Sequence, residues 1–525
     1  MENFLSTETL IIELLLIVSL VALIVRRLKI PYTVALVVVG LLISVQHPLE
    51  IELTPELILS LFIPPLVFEA AFHLEFKSLR ENWLPIIVLA IPGVLLTTVI
   101  VGLIVSFGIG ISLSTALVFG ALIAATDPVS VVSLFKALGA PKRLTTLVEG
   151  ESLFNDGTAI VLFKLMLVAA LPAVAGVSGE THGESFNFLR AIVDFALVSA
   201  GGLIVGVGLG WVVAQIIARV DDYLIETMLT TVLAFGAYLV AERFHVSGVL
   251  AVVAAGMLTG NIGLEGMSPT TRIVLFNFWE FLAFVANSLV FLLIGLEVNL
   301  PEIAKHLLPI SIALAAVLLS RALVIYGLTA LTNLRGLYRV PIGFRHVMFW
   351  GGLRGAISLA LALSLPVALA ERDQLRVMTF GVVLFTLLAQ GTTMQFLLRR
   401  LGIGQPALLE LEYERRHGRL LASQAALRRI ESMLQNNLIS VAAFEKIALS
   451  LEEEIKNNLA AHQELLKENP NLEAEEREDA ELESLRAQRA ALTTMLSNGI
   501  ISDQVYEELV AEIDAAIARA RNYEM

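Results

Sequence analysis

Cysteine is absent from all 525 residues, which removes disulfides, thiolate metal sites and sulfur redox switching from the possible chemistries. Charge is scarce as well: 16% of the residues are Asp, Glu, Lys or Arg, against 57% that are hydrophobic, and the mean hydropathy is +0.79. That balance excludes an ordinary soluble enzyme, and repeated apolar runs of about 20 residues mark a multi-pass membrane protein. No basic stretch precedes the first run, only Glu2 and Glu8, and no small-residue cleavage motif follows it. It is therefore expected to be a retained span rather than a signal peptide. Neither a His-Glu-x-x-His spacing nor a Gly-x-Ser-x-Gly turn occurs, which argues against an intramembrane protease or lipase. Gly206, Gly208 and Gly210 lie inside an apolar run with no strand before them, so they read as close helix packing rather than a nucleotide loop. No enzyme activity, no cofactor and no nucleic-acid partner are expected.

What is present is a series of about thirteen apolar spans, near 9–26, 30–46, 55–72, 84–107, 112–138, 143–171, 188–218, 224–242, 246–261, 272–295, 306–331, 342–369 and 374–398. Basic residues collect after odd-numbered spans: Arg26, Arg27 and Lys29, then Lys77 and Arg80, Lys136, Lys142 and Arg143, Arg335, Arg339 and Arg345, and finally Arg399 and Arg400. Even-numbered connections are poorer in Lys and Arg, and several are acidic, as at Glu50 and Glu52 or Glu180 and Glu184. Basic loops stay in the cytoplasm, so the amino terminus is expected outside and the carboxyl terminus inside the plasma (inner) membrane. An odd count also suits two inverted six-span halves joined by one linking helix, a plan common among secondary transporters.

Two spans carry groups that hydrocarbon rejects. The run 112–138 is interrupted by Thr126-Asp127-Pro128, and 144–171 holds Glu151, Ser152, Asn155 and Asp156. An unsatisfied carboxylate at that depth costs several kcal/mol or more, so these positions point to an ion pathway. Pro128 lacks an amide hydrogen and disfavours helical geometry at Asp127, which should open the turn and free the Thr126 carbonyl to coordinate a cation. Ser152 and Asp156 share one helix face; Glu151 and Asn155 share the next. In the twelfth span, Gly351-Gly352-Leu353-Arg354-Gly355 forms a second break, at the place that corresponds to span five in an inverted repeat.

These motifs, together with Pro64-Pro65, Glu69 and Ser320-Arg321, resemble the monovalent cation:proton antiporters of the NhaP and Na+/H+ exchanger type over residues 9–400. The resemblance implies an all-α membrane fold with crossed broken helices, and a homodimer with an interface domain and a moving core. It implies that Asp156 is the principal carrier of cation and proton, with Asp127, the Ser152 hydroxyl and the Thr126 carbonyl around it and Glu69 acting through water. Glu151 would pair with Arg321 or Arg354 to hold the core helices, and Asn155 before Asp156 would mark the electroneutral branch.

A desolvated carboxylate facing a cavity can be neutralised by Na+ (or Li+) or by H+, but not easily by both, and exchange follows from that competition. The alternatives are K+ or mixed Na+,K+ exchange, or a non-transporting membrane sensor of ions or pH. Bland readings stand beside these. Arg321 and Arg354 could serve only as braces, Glu69 could be a plain interfacial carboxylate, and Lys164 is expected to snorkel towards the outer interface. Glu13, Glu149 and Asp194 are assigned no role.

After Gly402, Gly404 and Pro406 the composition becomes soluble and charged: residues 402–525 hold 13 Lys and Arg against 23 Asp and Glu, a net of −10 out of the chain's −13. Within this cytoplasmic helical tail, 433–445 and 495–507 repeat at an offset of 62 residues, each reading as helix, Asn-containing turn, Ser N-cap and helix. Two αα-hairpins are expected, separated by the acidic, Pro-containing stretch 467–483. They form either a solvated spacer or a module with regulatory or dimer-stabilising contacts.

Overall fold

A computed structural model describes residues 2–28, 32–46, 58–171, 188–220, 222–263, 267–298, 300–333, 339–403 and 408–523. Lys29, Glu50, Glu52, Glu180, Glu184, Arg335, Gly404 and Pro406 lie outside the described residues. Every regular element among the described residues is helical, and contacts divide the chain into two units, Met1–Gly404 and Gln405–Met525.

The first unit begins with α1 (Glu2–Leu28) and α2 (Tyr32–Gln46). A π-helical turn, Ile58–Phe62, then leads into α3 (Ile63–His73), whose first positions take Pro64 and Pro65 because the opening turn of a helix needs no amide donor there. Next come α4 (Phe76–Ala90) and α5 (Pro92–Ile109), a pair interrupted only at Ile91, where Pro92 removes a helical hydrogen bond. This helical run starts eight residues before the expected span at 84, so Lys77 and Arg80 sit in its first turns rather than in a loop. Hydropathy detects only its apolar half.

The broken span follows as α6 (Leu113–Ala124) and α7 (Val129–Leu138), then α8 (Lys142–Ala170), α9 (Phe188–Ile217), α10 (Tyr223–Arg243), α11 (Gly248–Asn261) and α12 (Pro269–Glu297). The unit closes with α13 (Leu300–Lys305), α14 (Leu307–Asn333), the second broken pair α15 (Ile342–Trp350) and α16 (Ala356–Leu363), α17 (Arg372–Phe385), a π-helical turn at Thr386–Gly391, and α18 (Thr392–Arg400). Among the described residues seven helices are long and apolar enough to cross a membrane, and five shorter apolar helices accompany them.

Small residues set the helix spacing. A methyl group on Gly206 would strike the Ala251 backbone and one on Gly210 would lie 3.1 Å from the Ala255 Cα, so α9 and α11 approach backbone to backbone. Gly208 faces open space and takes no part in that packing.

In the second unit α19 (Leu408–Gln435) pairs with α20 (Val441–Glu468), and α21 (Pro470–Ser497) with α22 (Asp503–Tyr523). Both turns close alike. Asn437 (φ 57°) and Gly499 (φ 68°) adopt the left-handed conformation, and the next amide reaches back to Met433 O or Met495 O at 2.8 and 2.9 Å, the Schellman closure. The stretch 467–483 is not a separator: only Asn469 interrupts the helices, and Pro470 starts α21. Proline is acceptable at that first position, where its missing amide hydrogen leaves no helical bond unmade.

Candidate functional site

Pro128 opens the chain between α6 and α7, leaving residues 125–128 outside both helices, while the glycines of 351–355 open it between α15 and α16. The two breaks meet. The Asp127 amide donates to Leu353 O at 2.8 Å, and Arg354, 1% exposed, donates through Nη1 to Ala124 O (2.6 Å) and Ala125 O (3.0 Å). Arg354 thus satisfies the carbonyl end of α6, where the helix dipole is negative. Its own amide donates to Thr386 Oγ1 at 3.2 Å, which brings in the π-helical turn after α17.

Asp127 caps α7 by accepting the Val129 amide at Oδ1 (3.0 Å), and its other face abuts Gly355. A methyl at 355 would lie 2.7 Å from the Asp127 Cγ and nearer still to Oδ2. Glycine is required there by the closeness of a carboxylate.

From α8, Ser152 donates its hydroxyl to Thr126 O. The carbonyl expected to be free is therefore already engaged, because the opened turn presents it directly to α8. A carbonyl oxygen has a second lone pair, so it can still approach a cation. Asn155 Nδ2 donates to Thr126 Oγ1 at 3.1 Å and to Glu151 Oε1 at 3.5 Å. Glu151 in turn accepts both Arg321 Nη groups, at 2.6 and 2.9 Å, and Arg321 also donates to Met348 O at 3.0 Å. Of the two arginines offered as partners for Glu151, the structure pairs Arg321 with it and gives Arg354 to the α6 carbonyls. Gly352 makes room for this arrangement, since a methyl there would lie 2.7 Å from Arg321 Nε.

Asp156 completes the cluster. Its Oδ1 is buried without a hydrogen-bond partner, and it lines a cavity together with Asp127, Ser152 and Thr126. The donor set facing the cavity is all oxygen, as a hard monovalent cation requires. Glu69 is not part of the cavity wall; its Oε1 lies 3.3 Å from His73 Nδ1 on the same helix. Lys164 does not simply snorkel: its Nζ contacts both Glu242 oxygens at 3.0 and 3.1 Å.

Two polar residues of the wall escaped the sequence reading, Asn287 and Ser358, and a third is Glu149, to which that reading assigns no role. A signal for Glu149 exists, because 149, 152 and 156 follow the spacing i, i+3, i+7 of a single helix stripe. Asn287 is a lone amide within an apolar run of α12, and Ser358 depends on where α16 packs.

A family model described as "Sodium/hydrogen exchanger, transmembrane" matches residues 14–400. The chain is 42% identical over 404 residues to the Na(+)/H(+) antiporter ApNhaP of Aphanothece halophytica, covering 77% of this chain and 75% of that one. It is 36% identical over 509 residues to the Na(+)/H(+) antiporter NhaG of Bacillus atrophaeus, covering 95% and 94%. Its fold is similar to that of the sodium proton antiporter MjNhaP1 from Methanocaldococcus jannaschii, with a TM-score of 0.61 at 20% identity over 76% of this chain and 99% of the other.

Proposed function

The chain belongs to the sodium/hydrogen exchanger family, and from that premise we propose that it is a secondary Na+(Li+)/H+ antiporter exchanging one cation for one proton at Asp156 and Asp127. The observation that carries this reading is the unpartnered Asp156 Oδ1, buried at the wall of a cavity it shares with the second carboxyl group. Two neighbouring carboxylates in a low-dielectric site repel each other and demand a counter-charge. Na+ or a proton can supply it, and binding of one displaces the other.

The surrounding hydrogen bonds support a carrier rather than a rigid pore. Arg321, Glu151 and Arg354 hold the helix breaks, while Asp156 keeps an acceptor free for a ligand. If the doubly charged empty site is too costly to carry past the apolar barrier and either loaded form is not, the core turns only when loaded. Strict exchange results. The protein is placed in this reading as a homodimer in the plasma membrane, amino terminus outside, in line with the basic residues after odd-numbered spans.

Proteoliposomes with an imposed pH gradient test the proposal. Labelled Na+ should move against H+, and Asp156→Asn should remove the exchange; normal exchange by that variant would reject the site. A rate that follows an applied membrane potential would reject one-for-one exchange, and flux with K+ alone would reassign the cation.

A further inference from the structure

On α8, every residue that lines the cavity lies at Asp156 or before it: Glu149, Ser152, Leu153 and Asp156. The cavity thus extends from Asp156 towards the amino end of α8. Beyond Asp156 the helix is sealed. Gly157 lets α11 approach so closely that a methyl there would meet Leu250, and residues 158–163 are all buried. At the end of this sealed stretch, Lys164 reaches from α8 to Glu242 on α10, touching both carboxylate oxygens at 3.0 and 3.1 Å. Lys164 is eight residues past Asp156, about 12 Å further along the axis at the helical rise.

The two helices differ in their main packing partners, although α8 also touches α9 and α11 more lightly. α8 runs along α4 and α6, which include one half of the first broken span, whereas α10 packs on α9 and α11. A motion that opens the site at its other end must separate α8 from α11 and α10 at Gly157 and Lys164.

We propose that the Lys164–Glu242 pair is a positioning latch: it holds the bundle in the state open at the amino end of α8 and parts each time the site turns to the opposite side. The latch rests on the antiport reading above. With side chains 54% and 36% exposed, the pair is a weak bond, as a reversible latch requires. It biases a two-state population a few-fold without locking it.

The absence of cysteine makes the test direct. A single Leu250→Cys places a thiol beside Gly157 inside the sealed stretch, and an impermeant maleimide is added to oriented vesicles from the side of the α8 carboxyl end. Lys164→Met and Glu242→Gln should each raise the labelling rate about 2- to 5-fold. The double exchange Lys164→Glu with Glu242→Lys should bring it back towards the parent. Na+/H+ exchange is measured on the same vesicles. If exchange persists while both single variants label at the parental rate, the pair is static and the latch is rejected. If the double exchange labels as fast as the single variants, charge pairing is not the cause and the latch is equally rejected. Absence of exchange by the unaltered chain is a different result, and it is the antiport reading that would then fall.

Discussion

The Asp127 amide donates to the Leu353 carbonyl at 2.8 Å, so the two helix breaks are stitched to each other through main chain at the level of the site. Neither break could stand alone in a membrane, where an exposed N–H or C=O has no water to turn to. Crossing the breaks makes each one satisfy the other. The Arg354 guanidinium finishes the arrangement by covering the carbonyls that α6 leaves open.

Truncating Arg354 should therefore unfold the crossing before it changes anything else. Arg354→Ala strands the Ala124 carbonyl and leaves that of Ala125 only the long bond from the Ser358 hydroxyl at 3.5 Å, and each unsatisfied buried acceptor costs about 1–3 kcal/mol. A clear fall in Tm in detergent is expected. Arg354→Lys, which keeps the charge but loses the fork, should fall between parent and alanine. An unchanged unfolding midpoint for the alanine variant would contradict the bracing role.

Gly355→Ala is expected to abolish transport by displacing the Asp127 carboxyl group, against which a new methyl would be driven to 2.7 Å from Cγ. Gly236→Ala serves as control, because nothing lies within 4 Å of that position. Initial rates of Na+-driven proton movement distinguish them: the first should be lost and the second retained.

Competition fixes the sign of the pH dependence. Under the proposed competition, protons occupy the same carboxyl groups that Na+ needs, so lowering the pH is expected to raise the Na+ concentration for half-maximal rate. Once the site is mostly protonated the increase approaches about tenfold per pH unit, as for any ligand that displaces one proton. Half-saturation measured across a pH series on the cation-entry side checks this. A half-saturation that does not move with pH would mean that Na+ and H+ bind at separate places.

Glu149 lies on the same stripe of α8 as Ser152 and Asp156 and faces the cavity. Its charge should raise the local cation concentration without binding the ion in the loaded site. Glu149→Gln is expected to raise the half-saturating Na+ concentration about 2- to 10-fold at low ionic strength while leaving the maximal rate near parental, and the difference should shrink with added choline chloride. A loss of maximal rate instead would place Glu149 in the ion-binding step.

The helix breaks were legible because their causes are covalent: Pro128 has no amide hydrogen, and the glycines of 351–355 lack side chains to hold a helix. The pairing of Glu151 with Arg321 was open to Arg354 as well, since a sequence shows two cations for one buried acid but not which helix passes closer. Capture of the Thr126 carbonyl by Ser152 depends on the rotation of α8 against the first break, which no local pattern encodes. Glu242 lies 78 residues from Lys164, so their contact is a property of packing alone. The start of α4 was hidden by its own amphipathic first turns.

The tail offers a test in which one turn carries its own reference. Asn437 and Gly499 close equivalent hairpins, at φ 57° and 68°, but only glycine adopts that region without a Cβ penalty. Gly499→Ala should loosen the α21–α22 turn by about 1 kcal/mol, whereas Asn437→Gly should leave the α19–α20 turn as stable or tighten it by up to about 1 kcal/mol. Limited proteolysis of the full chain reads both turns in one sample. Cleavage near 499 should accelerate in the first variant while cleavage near 437 stays constant, and the second should slow cleavage near 437 or leave it unchanged. A β-branched residue should loosen both turns, tested with Asn437→Val and Gly499→Val, and more at 499, where the parent glycine carries no Cβ penalty. A turn that tolerated valine at either position would have to be held by contacts other than the Schellman closure.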